Sequence, residues 1–317
     1  MIKSELELIE SIREKVNTGQ KFPENIFGIG DDCAVYRISE NRYGLFSTDI
    51  SIENIHFDLT YTPLFDAGYR SMAANISDIY AMGGKPVLAL ISIDIPGNLN
   101  EKDISALYEG IITCSQKHGV LISGGDTSRS PVLVINISIY GETDSPVYRN
   151  GAKPGDRIYL TGSTGLSKLG LEILQNKSGM EKYPAAVNRH LRPEPGGDLV
   201  TVILGHYSPS SMIDISDGLI NDLGHICRES KTGFELFTDK LSVHDEIRNY
   251  CLDRNREPAD YLLYSGEECE LVFTSKEDVP ATPGITHIGN ITSEGYTLIS
   301  GDKKAPVSIK GYDHFIK

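Results

Sequence analysis

The chain has no apolar run long enough to cross a membrane, no Cys-x-x-Cys pair and no excess of basic residues. Each absence closes off a class of function. A transmembrane helix needs about 20 consecutive apolar residues, whereas the N-terminal stretch MIKSELELIESIREKV reads as a charged amphipathic helix without a signal-peptide core. The expectation is a cytoplasmic protein with no membrane partner. Cys33, Cys114, Cys227, Cys251 and Cys269 are odd in number and scattered, so neither a disulfide framework nor a zinc site is indicated. The 30 Lys and Arg against 44 Asp and Glu give a formal net charge of -14, which leaves no basic stripe for nucleic acid. A Walker A loop, the protein-kinase set of glycine loop and catalytic and metal-binding aspartates, and an EF-hand loop are also missing.

At 317 residues with 39% hydrophobic content, the chain can bury a substantial core, and its length favours two domains. The segments YGLFSTDISI, PVLALISIDIP and PVLVINISIYGE have the β-branched, partly alternating pattern of strands. DAGYRSMAANISDIYAMGG and EKDISALYEGIITCSQKHG read as helices ending at glycine. The turn in YRNGAKPGDRIYLTG opens a second unit, so domains of residues 1–150 and 151–317 are expected. The second begins with the strand RIYLTG and a helix around LSKLGLEILQ. It passes through LRPEPGG to SMIDISDGLINDLGHICRES and ends in further strands. NISDIYAMGG and DISDGLINDLGH form a weak internal echo, each placing Ser-Asp in a helical context near glycine.

What the chain does have is a recurring local design. GIGDDC (Asp31, Asp32), STDIS (Asp49), NISDIYAMGG (Asp78), SGGDTSR (Asp126) and MIDISDG (Asp214, Asp217) each bring an apolar run to a small or hydroxylated residue and then to Asp. That suits a strand end or helix start whose carboxylate faces a shared cleft. GIGDDC fails as a dinucleotide fingerprint, because Cys33 stands where a third glycine belongs. Any single Asp is more often a turn or helix cap, and repetition is what raises the alternative. Carboxylates that converge without cations repel one another, and Mg²⁺ is the hard ion that would join them to substrate phosphates. Ser47 and Thr48 beside Asp49 fit the same role. The paired glycines of SGGDTSR offer backbone N–H groups to a phosphate, and Arg129 or Arg149 a permanent cation.

Together GIGDDCAV, FSTDISIENIHF, NISDIYAMGGKP, ISGGDTSR, RNGAKPGDRIYLTG, LRPEPGG, IDISDGLINDLGHI, SGEECEL and GYDHF resemble the thiamine-monophosphate kinases, in order and over nearly the whole chain. That family shares an ATP-binding superfamily with aminoimidazole ribonucleotide synthetase and selenophosphate synthetase. The resemblance implies an α/β (α+β) protein with a two-domain aminoimidazole-ribonucleotide-synthetase-like fold. Its N-terminal domain would form an intersubunit β-barrel in a homodimer, and its C-terminal domain would be α+β. The implied reaction is γ-phosphoryl transfer from ATP to thiamine monophosphate, the last step in making thiamine diphosphate. Several Mg²⁺ ions would be held by Asp32, Ser47, Thr48, Asp49, Asp78, Asp126, Asp214 and Asp217. Tyr108, Gly125, Asp126, Arg149 and Ser216 match ATP-contacting positions, and His56, Glu267 and Tyr312 match thiamine-phosphate positions. Gly28 and Gly30 then read as the turn that delivers Asp32 to metal, with Asp31 supporting the loop. The acceptor is already a phosphate oxyanion, so transfer is expected to be direct and in line, with no residue as nucleophile or base.

SGEECEL departs from the family's paired glycines followed by Glu-Asp-Tyr-Glu-Leu at Ser265, Glu268 and Cys269. Within the superfamily, a selenophosphate synthetase would need a cysteine or selenocysteine in residues 1–27, and the hydrogenase-maturation relative a C-terminal cysteine. Neither is present. GYDHF and ENIHF speak against aminoimidazole ribonucleotide synthetase. A scaffold holding structural calcium would not need acids spread over both halves.

Overall fold

A computed structural model describes residues 4–277, 281–309 and 315. Strands β1 (Ile26–Phe27), β2 (Ala34–Ser39), β3 (Arg42–Ile52), β4 (Lys85–Ile95), β5 (Leu121–Arg129) and β6 (Val134–Thr143) form one sheet in the order β1-β2-β3-β6-β4-β5. β6 runs antiparallel to both neighbours, and only β4 and β5 are parallel. Along β6 buried and half-buried residues alternate, with Ile135, Ile137 and Ile139 inward. Two-residue periodicity thus decides which face meets the helices.

Those helices are α2 (Leu64–Ala81) and α3 (Glu101–Lys117), preceded in the chain by α1 (Glu5–Gly19). Asn100 caps α3 through a capping box in which its side chain accepts from the Lys102 N–H at 2.9 Å and Asp103 accepts from the Asn100 N–H at 2.8 Å. The two helices approach closely at Gly68 and Gly110. A Cβ at Gly110 would stand 1.8 Å from the Phe65 carbonyl oxygen, and one at Gly68 would stand 2.1 Å from that of Leu107.

The second half builds another sheet, in the order β13-β12-β9-β11-β7-β10-β8. Its strands are β7 (Arg157–Thr161), β8 (Ser211–Asp214), β9 (Gly233–Phe237), β10 (Leu271–Ser275), β11 (Ile285–Thr292), β12 (Tyr296–Ser300) and β13 (Lys303–Pro306). Helices α4 (Leu166–Asn176), α5 (Pro184–Leu191), α6 (Gly197–His206), α7 (Leu219–Ser230), α8 (Asp245–Arg254) and α9 (Ala259–Tyr264) accompany them. β7, β8 and β10 are buried on both faces. Ile158, Leu160, Ile213 and Val272 point into a core shared with α4, α7, α8 and α9, while Tyr159, Met212, Leu271 and Phe273 point into the core of the first sheet. On that side Tyr159, Tyr207 and Phe273 have ring centroids 5.0–5.2 Å apart. This packing sets the end of β8 beside α2.

The Ser-Asp echo does not survive as equivalent architecture. Ser77 and Asp78 lie in the last turns of α2, whereas Asp214 ends a strand and Ser216 and Asp217 stand in the turn before α7. SGGDTSR lies within the edge strand β5, with Asp126 inside the strand rather than at its end. Among the described residues no helix is long and apolar enough to cross a membrane.

Candidate active site

Three carboxylates meet where the halves join. Asp32 arrives on the loop between β1 and β2, Asp78 on α2 and Asp214 at the end of β8, with an oxygen of each within 4.8 Å of the others. Hydroxyls of neighbouring residues hold two of them: Ser47 on β3 donates to Asp78, and Ser77 donates to Asp214 at 2.6 Å. Burial raises the pKa of Asp78 well above the ordinary range, and the charges of Asp49, Asp214 and Asp32 add to it. Asp214 is raised by burial and then by Asp32. Asp49 opens onto solvent, yet the surrounding protein and the charges of Asp32 and Glu267 raise it as well. The cluster carries more negative charge than its surroundings balance.

Arg149 is the nearby cation. Its guanidinium pairs with Asp32, with Nε 3.3 Å from Oδ2, and its backbone N–H donates to the Asp31 carboxylate at 3.1 Å. Asp31 therefore ties the loop down while Asp32 faces the cluster. The Asp31 carboxyl is pushed up to about 7 by burial and then by the charge of Asp32.

Ser216 and Asp217 follow Asp214 in a turn shaped by Asp222. One oxygen of the buried Asp222 accepts from the N–H groups of Ser216, Asp217 and Gly218 at 3.0–3.2 Å. The SGEECEL segment lies against this turn, since the Glu267 N–H donates to the Ser216 carbonyl at 2.8 Å and the Glu268 N–H to that of Ile215 at 3.1 Å. The positions matched to nucleotide and to thiamine phosphate are thus adjacent. His56, in the loop after β3, accepts from the Ile52 N–H on Nδ1 at 3.0 Å and lies within electrostatic range of Glu267.

Other expected positions are placed differently. Strand alternation sends Thr48 to the opposite face from Ser47 and Asp49: its hydroxyl sits 3.2 Å from the Ile137 carbonyl and 3.1 Å from the Ser138 hydroxyl. Its side chain does not join the three-carboxylate cluster. Asp126 stands apart on β5, exposed, accepting from the Thr127 N–H at 2.9 Å. Gly125 beside it lies close against β4; a Cβ there would sit 1.7 Å from the Ile91 carbonyl oxygen. Tyr108 is half-buried on α3 against the first core. Tyr312 lies outside the described residues.

The sequence reading missed a clamp on the SGEECEL segment. α5 ends in RHL, whose Arg189 donates to the Glu268 carbonyl at 3.1 Å and pairs with Glu270 at 3.0 Å, while Arg192, just after the helix, pairs with Asp66 on α2. Basic residues gathered in an acidic chain were the available signal. Two of the departing residues also contact each other. The Ser265 hydroxyl donates to Glu268 Oε1, which accepts further from the Gly165 N–H at 2.6 Å and the Ser167 N–H at 3.1 Å. Glu268 Oε2 is buried with no hydrogen-bond partner.

Burial pushes the Glu268 carboxyl from 4.5 to about 7. Its folded-state pKa lies above its unfolded one, so its contribution to stability is full below about 4.5 and is lost as the pH rises through about 7. Glu268→Gln should therefore gain stability relative to wild type as the pH rises from 5 to 8, by on the order of 2–3 kcal/mol. Urea denaturation of both proteins in EDTA across that range measures it, and a constant gap would contradict it.

Two mixed sheets with helices packed on them match the AIR-synthase-like fold. The family model "AIR synthase related protein, N-terminal domain" matches residues 30–143. The thiamine-monophosphate kinase of Aquifex aeolicus is 34% identical over 290 residues, covering 90% of this chain and 92% of the relative. That of Escherichia coli K12 is 35% identical over 311 residues, with 91% of each covered. A solved structure described as "AaThiL complexed with AMPPCP and TMP" superposes with a TM-score of 0.87 at 31% identity, over 98% of this chain and 97% of that one. The chain belongs to the thiamine-monophosphate kinase family.

Proposed function

We propose that this protein transfers the γ-phosphoryl group of ATP to the phosphate of thiamine monophosphate, giving thiamine diphosphate and ADP. The observation that carries this reading is the convergence of Asp32, Asp78 and Asp214 beside the contact between the Ser216 and Glu267 loops. A similar protein has been solved in a complex described as holding AMPPCP and TMP.

The donor set fits Mg²⁺: the carboxylates and the Ser47 hydroxyl are hard oxygen ligands, and Asp78 and Asp214 are raised by burial and then by the neighbouring carboxylates, a setting that a cation would relieve. We assign Asp32, Ser47, Thr48, Asp49, Asp78, Asp126, Asp214 and Asp217 to metal binding, with the Thr48 side chain and Asp126 standing away from the three-carboxylate cluster. When bound, Mg²⁺ neutralises phosphate charge and holds donor and acceptor in line. Arg149 offers the nucleotide a permanent cation, with Gly125, Ser216 and Tyr108 assigned to the same ligand. His56, Glu267 and Tyr312 are assigned to thiamine monophosphate. The acceptor oxygen is already anionic, so the protein supplies position and charge and no nucleophile or base.

The division of labour proposed is residues 1–150 for ATP, metal and dimerisation, and residues 151–317 to complete the nucleotide and substrate sites. A homodimer is favoured by the sheet face opposite α2 and α3, where Tyr36, Ile38, Phe46, Ile50 and Leu90 are all exposed, Phe46 by 50%. That face and the edge strand β5 suit the intersubunit barrel, and the setting proposed is the cytoplasm.

The test is to incubate the protein with Mg²⁺, ATP and thiamine monophosphate and to identify the products by mass spectrometry, with Asp49→Asn as control. Thiamine diphosphate in step with ADP, lost in the control, is the expected result. Intact ATP, hydrolysis without phosphorylated thiamine, or a labelled phosphoryl group trapped on the protein would each refute part of the reading.

A further inference from the structure

We infer that Arg70 is a positioning residue that aims the Glu267 carboxylate at thiamine monophosphate. The inference rests on the reading of Glu267 as a substrate contact.

Arg70 lies on α2 with 6% of its side chain exposed, an unusual place for a guanidinium. One of its terminal nitrogens donates to Glu267 Oε2, and the other lies 2.9 Å from His190 Nε2. A guanidinium has donors only, so His190 Nε2 must accept. The imidazole proton is then on Nδ1, which faces the Ser167 hydroxyl at 3.4 Å. Burial, and then the charge of Arg70, hold the His190 pKa down to about 3, so the ring stays neutral and keeps this role. The buried His190 thus fixes one arm of the fork, and the other arm fixes Glu267.

Glu267 is built to be aimed. Its backbone is in the left-handed region at φ 53, anchored by the N–H bond to Ser216, and its side chain is 48% exposed despite the ion pair. A carboxylate held from behind and open in front suits a substrate whose thiazolium ring is a permanent cation. Burial alone would raise the Glu267 pKa, but its neighbours, Arg70 foremost, reverse the shift and keep it ionised. A pair serving only stability would gain nothing from leaving one partner half exposed, and buried ion pairs contribute little net stability as a rule. Lysine could not reach both acceptors with a planar fork.

The experiment is a double-mutant cycle with Arg70→Met and Glu267→Gln, read as separate KM values for thiamine monophosphate and ATP. Arg70→Met should raise the thiamine-monophosphate KM by about tenfold to a hundredfold with the ATP KM in place, and Arg70→Lys should recover part of the loss. In the Glu267→Gln background Arg70→Met should add little. Additive effects, or a loss of kcat with both KM values unchanged, would mean that Arg70 serves only the fold and would overturn the inference. An unchanged thiamine-monophosphate KM in Glu267→Gln alone would overturn the reading beneath it, and so the inference. If Arg70→Met does not fold, the same cycle with Arg70→Lys decides.

Discussion

Asp78→Asn should silence phosphoryl transfer while producing a protein that, without metal, melts at a higher temperature than wild type. Asp78 is the carboxylate most crowded by others: burial and the charges of Asp49, Asp214 and Asp32 all work against its ionised form. An amide of the same shape keeps an oxygen for the Ser47 hydroxyl and removes the charge. Loss of one preorganised electrostatic group in a transfer site costs about 10²–10³ in kcat. Relief of the repulsion should stabilise the metal-free fold by on the order of 1–2 kcal/mol, the trade expected where function maintains a strained site. Steady-state kinetics and thermal melts in EDTA and in Mg²⁺ check both halves. Activity within about tenfold of wild type, or a lower metal-free melting temperature, would count against a shared ion at this position.

The second large effect concerns a buried residue with no charge of its own. Gly110→Ala should destabilise the protein by about 3 kcal/mol or more, at the severe end of single substitutions. Its new methyl would overlap the Phe65 carbonyl oxygen 1.8 Å away, and that atom is backbone, with no rotamer to escape into. Separating the helices disturbs the packing of α2, which carries Arg70, Ser77 and Asp78. Activity should therefore fall with stability, in contrast to Asp78→Asn. Urea denaturation beside kinetics separates the two. Unchanged stability would show that α2 and α3 tolerate a wider crossing.

Much of this was legible beforehand, and the reasons are local. β3, β4, β6, α2 and α3 follow from patterns that repeat within one element, so YGLFSTDISI and DAGYRSMAANISDIYAMGG already carry their periods. The aspartates were legible as a recurring design, but not in their placement. Asp214 does end a strand, whereas Asp49 and Asp126 lie within strands and Asp78 lies near the end of a helix. The cluster arises from packing of the second sheet on α2, which no stretch of sequence encodes by itself. Gly68 and Gly110 read as ordinary helix positions, although interior helix glycines are a known sign of close approach. Arg70 falls two helical turns before Ser77, on the same stripe, a signal that gained meaning only when α5 and Glu267 arrived from elsewhere in the chain.

The neighbouring strands β7, β10 and β8 belong to two cores at once, one through their even-numbered residues and the other through their odd-numbered ones, or the reverse. A shift of register by a single residue would exchange the contents of those cores. Heredity meets the same constraint. A change of volume at Tyr159 must be answered among Tyr207 and Phe273, while one at its neighbour Ile158 must be answered by a different set of residues altogether. Adjacent codons therefore evolve under separate partnerships, and a chain cut after the first sheet would lose a wall of its own interior.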